Sequence, residues 1–268
     1  MTRSWSMLLL ITLAVSGCAR PARGAPAPWN RVVLVELFTS QGCSSCPPAD
    51  QFVRDLSRLG FGPDKVLPLT FHVNYWDDLG WRDPFATPAF TERQQWYARS
   101  GRLESPGGVP GLSGLYTPQM IVGGTVHFSG QQKAVAQAEF RRAAERPADV
   151  DITADATIAG DTVTVALRVS PRGGLDRARD WRVVVALAAK RTRTAVLHGE
   201  NGGETLEEAA VVRALSDRLP VDRFLPGPGR VSLRKPPGLA WADTELVAWV
   251  QSETTRQIAA ARAIDLRP

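Results

Sequence analysis

Cys43 and Cys46 enclose two serines, Ser44 and Ser45, between an apolar run at residues 32–38 and a helix-like stretch. A Cys-x-x-Cys pair either supplies half of a four-ligand metal site or cycles between dithiol and disulfide. The whole sequence holds three cysteines and three histidines, so no second pair is available to complete a zinc site. Redox chemistry is the expectation. Cys43, read as the more exposed sulfur, would attack as thiolate, and Cys46 would resolve the mixed disulfide. A thiol at a helix start has its pKa lowered from about 8.5 into a range of about 3.5 to 7.5, because free N–H groups and the helix dipole favour the anion.

The elements that must position the pair follow from periodicity. Residues 32–38 read as a buried strand, 49–59 as a helix and 66–73 as a second strand; 91–102 and 131–146 have helical spacing. Residues 119–122 and 125–128 form a hairpin around Gly123-Gly124. If Cys43 caps the helix, Pro47-Pro48 remove its early hydrogen bonds, so regular helix is expected from Ala49. This gives an α/β domain over residues 30–146. After Pro147 the chain is strand-rich, with runs at 151–158, 162–170, 181–189, 192–197, 231–234, 246–251 and 257–266 and one helix at 205–215. The expectation for 147–268 is a β-rich, sandwich-like domain.

Strand, Cys-x-x-Cys, helix, strand, helix, hairpin, helix resembles the thioredoxin fold. The resemblance implies that Pro118 is a cis-proline facing the pair, with the backbone at Thr117 beside the substrate. It also implies that Glu36 is a buried acid shuttling a proton for Cys46. Glu36 lies seven residues before Cys43, one more than the usual separation, and an acid bonded to a neighbouring strand or an arginine is the alternative. More closely, ELFTSQGCSSCPPAD at 36–50, HVNYWD at 72–77 and YTPQ at 116–119 resemble the secreted bacterial thioredoxin-like proteins grouped as domain of unknown function 1223. GENGG at 199–203 and VVR at 211–213 extend the likeness. It implies a fold and a redox activity, and no particular substrate.

The segment from His72 begins at the end of the second strand, where open α/β sheets bind ligands. His72, Asn74, Tyr75 and Trp76 are therefore candidates for a substrate groove, His72 with a titratable imidazole. The alternative has Trp76 and Trp81 packing a crossover loop and His72 bonding backbone. His127 reads as structural, and the glycines after His198 lack phosphate-loop spacing and read as a turn.

Residues 1–17 carry Arg3 and a short apolar stretch, too few residues to span a bilayer, and are expected to be a secretory signal. Cys18 after Val15-Ser16-Gly17 resembles a lipobox, with lipid on Cys18 and residues 18–29 as tether; cleavage near Ala25 or Ala27 is the alternative. The expected location is the bacterial envelope, lipid-anchored and facing the periplasm, where disulfides persist. A composition of 44% hydrophobic and 22% charged residues is that of a globular protein, and the net charge of +5 comes from scattered arginines, which argues against nucleic-acid binding. The expected partners are protein or small-thiol disulfides, with no cofactor or metal. Rival readings are copper handling through Cys43, Cys46 and His72 or Met120, and a binding lipoprotein whose disulfide only staples the helix start. Metabolic labelling with a palmitate analogue is expected to tag the protein, and to leave Cys18→Ala unlabelled and partly released from membranes.

Overall fold

The computed structural model describes residues 29–106, 114–173 and 180–266; the signal, Cys18 and the tether as far as residue 28 lie outside them. β1 (Val33–Thr39) is buried along its whole length, as expected of an apolar strand covered on both faces. It lies parallel to β2 (Val66–His72) and antiparallel to β3 (Gln119–Val122), which pairs with β4 (Val126–Ser129). Side chains alternate across a strand. Val33, Val35 and Leu37 therefore meet α1 (Pro47–Asp55) and α3 (Lys133–Glu145), through Phe52, Val53, Ala136 and Phe140. Leu34 and Phe38 face the opposite layer, where α2 (Pro88–Ala98) contributes Phe90, Trp96 and Tyr97.

The sheet does not end at β2. β8 (Thr205–Leu215) runs parallel to β2 and pairs through Thr70 and Val211. It is followed outward by β7 (Trp181–Ala195), β11 (Thr244–Ser252) and β12 (Ile258–Ile264), while β9 (Leu219–Pro220) pairs with β7. Nine strands thus form one sheet across residue 147. The change expected there is a change in element type without a break in the sheet. A second sheet of three strands, in the order β10 (Gly229–Arg234), β6 (Thr162–Pro171), β5 (Val150–Ala159), covers the far half. Its Ile152, Val163, Val165 and Leu167 pack on Val183, Val185 and Leu187 of β7 and on Leu246, Ala248 and Val250 of β11. The other faces of β7 and β11 present Val184, Ala186, Val247 and Trp249 to the layer of α2. The protein is mixed α/β and strand-rich, with three α-helices among the described residues.

Three expectations are corrected. Residues 205–215 are a strand: Leu, Glu and Ala favour helix in isolation, but the segment fills the gap between β7 and β2, and pairing on both edges outweighs propensity. Residues 181–195 form one strand, because Lys190 and Arg191 project to solvent without breaking the ladder. The first helix starts at Pro47.

The turn between β3 and β4 touches the hairpin between β11 and β12, so strands from opposite ends of the sheet order meet. Gly124 sits there at φ +80, and a Cβ would lie 2.0 Å from the carbonyl oxygen of Arg256. Ile258 donates its N–H to the Gly123 carbonyl, 3.0 Å. Gly124→Ala combines left-handed strain with a backbone clash, and is expected to cost at least about 2 kcal/mol and to lower Tm by roughly 4 to 8 °C in calorimetry.

Candidate functional site

β1 and β2 end side by side, with Thr39 opposite His72, so the loops that follow converge at their carboxyl ends. After β1 the chain turns tightly. Gly42 donates its N–H to Ser40 Oγ, 3.0 Å, and the N–H groups of Cys43 and Cys46 reach the carbonyls of Ser40 and Cys43. Cys46 is the N-cap of α1, and Pro47 and Pro48 take the first two helical positions, where a missing N–H costs nothing. Cys43 and Cys46 form a disulfide across Cα atoms 5.5 Å apart, within the ordinary range. Both residues are fully buried, so Cys43 is not the more exposed of the two; the turn puts Ser44 and Ser45 outside and both sulfurs inside. Ser45 distinguishes them. Its hydroxyl lies 3.2 Å from Cys43 Sγ, and since a disulfide sulfur carries no hydrogen, the hydroxyl is the donor.

Trp76 leans on this loop: a Cβ at Gly42 would meet Trp76 Cβ at 3.1 Å. Its indole N–H donates to Thr117 Oγ1, 2.9 Å, next to the cis peptide Thr117–Pro118. Pro118 lies close to Gly130, where an added Cβ would meet Pro118 Cβ at 3.3 Å and Ala49 Cβ at 2.9 Å. Trp76, Thr117 and Pro118 are thus brought to the start of α1. Tyr75 is partly exposed beside them, its hydroxyl toward Gln94 and Thr117, and burial raises its pKa to about 12. Asn74 belongs to the loop's own framework: Thr91 Oγ1 donates to its Oδ1, 2.7 Å, and accepts its N–H.

The opposite rim comes from the turn between β7 and β8, residues 196–204. Glu200 accepts the Ser44 N–H, 2.9 Å. Asn201 donates its amide to the carbonyls of Gln41 and Cys43, 2.8 and 3.1 Å. Gly199 (φ +78) lies against Trp81, whose Cβ an added methyl would meet at 3.0 Å. The segment expected to be a bare turn is therefore one wall of the site.

His72 does not line a groove. It is fully buried, its Nδ1 2.7 Å from Asp83 Oδ2 and its Nε2 3.8 Å from Glu208 Oε1. Asp83 also accepts the N–H groups of Gln41 and Phe85. Glu208 accepts from Gln41 Nε2 and Thr192 Oγ1, 3.0 and 2.9 Å. Asp50, four residues after Cys46, accepts from Thr39 Oγ1, 3.1 Å, and is buried. Burial alone would lower the His72 pKa, but Glu208, Asp83 and Asp50 raise it to about 9. Burial and then the charge of Glu208 raise Asp50 to about 8, against the pull of His72 and Thr39. Asp83, though burial opposes ionisation, is held below its ordinary value by His72 and its donors.

Glu36 points away from the pair and takes an arginine partner, the alternative reading. As an even-numbered residue of β1 it faces α2, away from α1, and Arg93 grips it with Nε–Oε2 at 2.6 Å and Nη2–Oε1 at 2.8 Å. Tyr97 donates its hydroxyl to the same carboxylate, and Gln251 of β11 completes the cluster through Arg93 and Tyr97. Burial would lower the Arg93 pKa, yet Glu36 holds it above its ordinary value. His127 is structural, its Nδ1 facing Tyr116 Oη and Gln119 Nε2. Met120 packs in the apolar core with Leu37 and Phe52. Among the described residues no cluster of three or more His, Cys, Asp or Glu side chains is arranged to hold a metal ion.

Asp50, Asp83, Glu200, Asn201 and Glu208 escaped the sequence reading. Asp50 was legible in principle, since positions i and i+4 share a helix face. The other four lie 37 or more residues from Cys46, and only the fold brings them to the site.

The profile of a family described as protein of unknown function (DUF1223) matches residues 34–251. Among curated proteins no match is found. Protein AGR_C_4864 from Agrobacterium tumefaciens is similar in structure, with a TM-score of 0.57 and 25% identity over 89% of this chain and 98% of that one. HBP35 of Porphyromonas gingivalis is similar at a TM-score of 0.57 and 16% identity, over 88% of this chain and 76% of its own. Glu36→Gln, which leaves the Arg93 guanidinium buried without a counter-charge, is expected to cost about 3 to 5 kcal/mol in chemical denaturation. Thiol-exchange rates of the folded variant and their pH profile should match the wild type; a slowed resolution step at unchanged stability would return Glu36 to the redox site.

Proposed function

The chain belongs to the DUF1223 family of proteins of unknown function, and on that footing we propose that it is a thiol–disulfide exchange protein of the bacterial envelope with a thioredoxin-like fold. The observation that carries the reading is the Cys43–Cys46 disulfide at the amino end of α1, with the Ser45 hydroxyl on Cys43 Sγ. The sheet order β2-β1-β3-β4, with α1 and α3 on one face and α2 on the other, supports the fold. Trp76, Thr117 and Pro118 beside the pair support a surface that receives a protein or small-thiol disulfide.

The chemistry follows from the two environments. Reduced Cys43, three residues before the N-cap and next to the Ser45 hydroxyl, is the sulfur whose thiolate is stabilised. It attacks a substrate disulfide, forming one S–S bond while breaking another. Cys46 then attacks Cys43, closes the internal disulfide and releases the second substrate sulfur as thiolate. Run backwards, the same steps oxidise a dithiol. The apolar segment at 7–15 and Cys18 support export and lipid anchoring, and among the described residues no helix is long and apolar enough to cross a membrane. Arginines scattered along the chain argue against a nucleic-acid surface.

Cys46→Ser is expected to accumulate mixed disulfides through Cys43, visible on non-reducing gels of envelope extracts, whereas Cys43→Ser accumulates none. Equal trapping by the two variants, or none by either, removes exchange as the activity.

A further inference from the structure

The interior acids around His72 have an arrangement that a merely packed core does not require. Asp50 Oδ1, His72 Nε2 and Glu208 Oε1 are buried and make no hydrogen bond among the described residues. Unpartnered buried polar atoms are costly; His72 Nε2 and Glu208 Oε1 lie 3.8 Å apart, and the charges of both act on Asp50, one helical turn after Cys46. The Asp50 N–H donates to the Cys46 carbonyl, 3.2 Å, so its side chain and that of Cys46 share a face of α1. Asp50 and Glu208 also line a cleft of about 150 Å³ between α1 and β8, together with Pro47, Gln51, Thr205 and Leu206. Arg54 and Glu207, paired at 2.8 Å, belong to the same cleft on its exposed side. Asp50 and Glu208 are therefore buried residues that line a cleft open to solvent.

We propose that Asp50 is the proton donor and acceptor for Cys46, that Glu208 and His72 set its proton affinity, and that the cleft between α1 and β8 is its route to water. This rests on the exchange reading and deepens it. The step balances as follows. A thiolate attacks Cys43 of the internal disulfide, an S–S bond forms between the reagent and Cys43, and the Cys43–Cys46 bond breaks. The electron pair goes to Cys46, which takes the proton of Asp50 and becomes a thiol; Asp50 is left as carboxylate and is reprotonated from the cleft. In the reverse direction Cys46 gives its proton to that carboxylate as it attacks.

The groups that face Asp50 are Thr39 from β1, His72 from β2, Asp83 from the loop after β2 and Glu208 from β8; Arg54 on its own helix is engaged with Glu207. In the disulfide form the carboxyl keeps its proton up to about pH 8, which suits it to protonate a departing thiolate at neutral pH. Glu208 and the β8 wall of the cleft lie beyond residue 147, so the second half of the chain completes the redox site.

The test is single-turnover reduction of the disulfide form by dithiothreitol in stopped flow, with rate constants expressed per reagent thiolate from pH 6 to 10. Wild type should fall by on the order of tenfold as Asp50 ionises near pH 8. Asp50→Asn, which resembles the neutral acid and so preserves the buried contacts, should be slow and flat. Glu208→Gln removes a neighbouring negative charge, and should move the break about one unit lower. A break that survives Asp50→Asn, or that Glu208→Gln leaves in place, overturns the assignment; a purely structural role moves melting temperature and not the break. A wild-type pair inert to the reagent sinks the exchange reading together with this one, whereas a reactive pair with no break sinks this one alone.

Discussion

Alternation along β1 decides what each of its side chains can do, because the strand is buried on both faces. Glu36 falls on the face of α2, and an ionised carboxylate there has to be met by a cation. Arg93 supplies it with two hydrogen bonds, and Tyr97 and Gln251 satisfy what remains. Three residues on, Thr39 falls on the face of α1 and bonds Asp50. A single strand thus separates a locked ion pair, which fixes α2 against β1 and β11, from a titratable cluster, which lies beneath the disulfide.

The two sets differ in charge balance, and that difference separates structure from chemistry. In the first, a bidentate pair sets one carboxylate directly against one guanidinium. In the second, the His72 imidazole lies against Asp83 and Glu208 and acts on Asp50, and the Arg213 guanidinium acts on Asp83 from outside. Asp83 has the nearest imidazole nitrogen and two backbone donors and stays ionised; Asp50 has one hydroxyl and keeps its proton to about pH 8. Two carboxyl groups near one histidine take opposite states because their donors differ. A proton that can be moved at neutral pH is the result.

The second half of the chain does more than cover the sheet. β8 extends the parallel core beside β2 and delivers Glu208 to the interior, and the turn before it lays Glu200 and Asn201 on the backbone of the Cys-x-x-Cys loop. Gly124 lets the β3–β4 turn meet Arg256 in the hairpin from the other end of the strand order. Cutting the chain at residue 147 would remove a sheet edge, one wall of the site and one of the buried acids together.

Local order was legible in the residues themselves. The apolar run of β1, the helix after Cys46, the Gly123-Gly124 hairpin and the alternating strands of β5 and β6 follow from periodicity and turn chemistry, and the pairing of Cys43 with Cys46 follows from their spacing. Glu36 takes the arginine partner that was its alternative reading, because sequence gives the distance from Cys43 along the chain but not which face of a buried strand the acid takes. Residues 205–215 carry helix-forming types, and only the vacant edges of β7 and β2 make them a strand. Glu208 and Asp83 reach His72 through parallel pairing and a loop crossing, contacts between residues far apart in sequence that leave no periodic trace. The sequence determined that a cysteine pair stands at a helix start; the tertiary structure decided which acids surround it, because buried charge is settled by the partners that folding brings within a few ångströms.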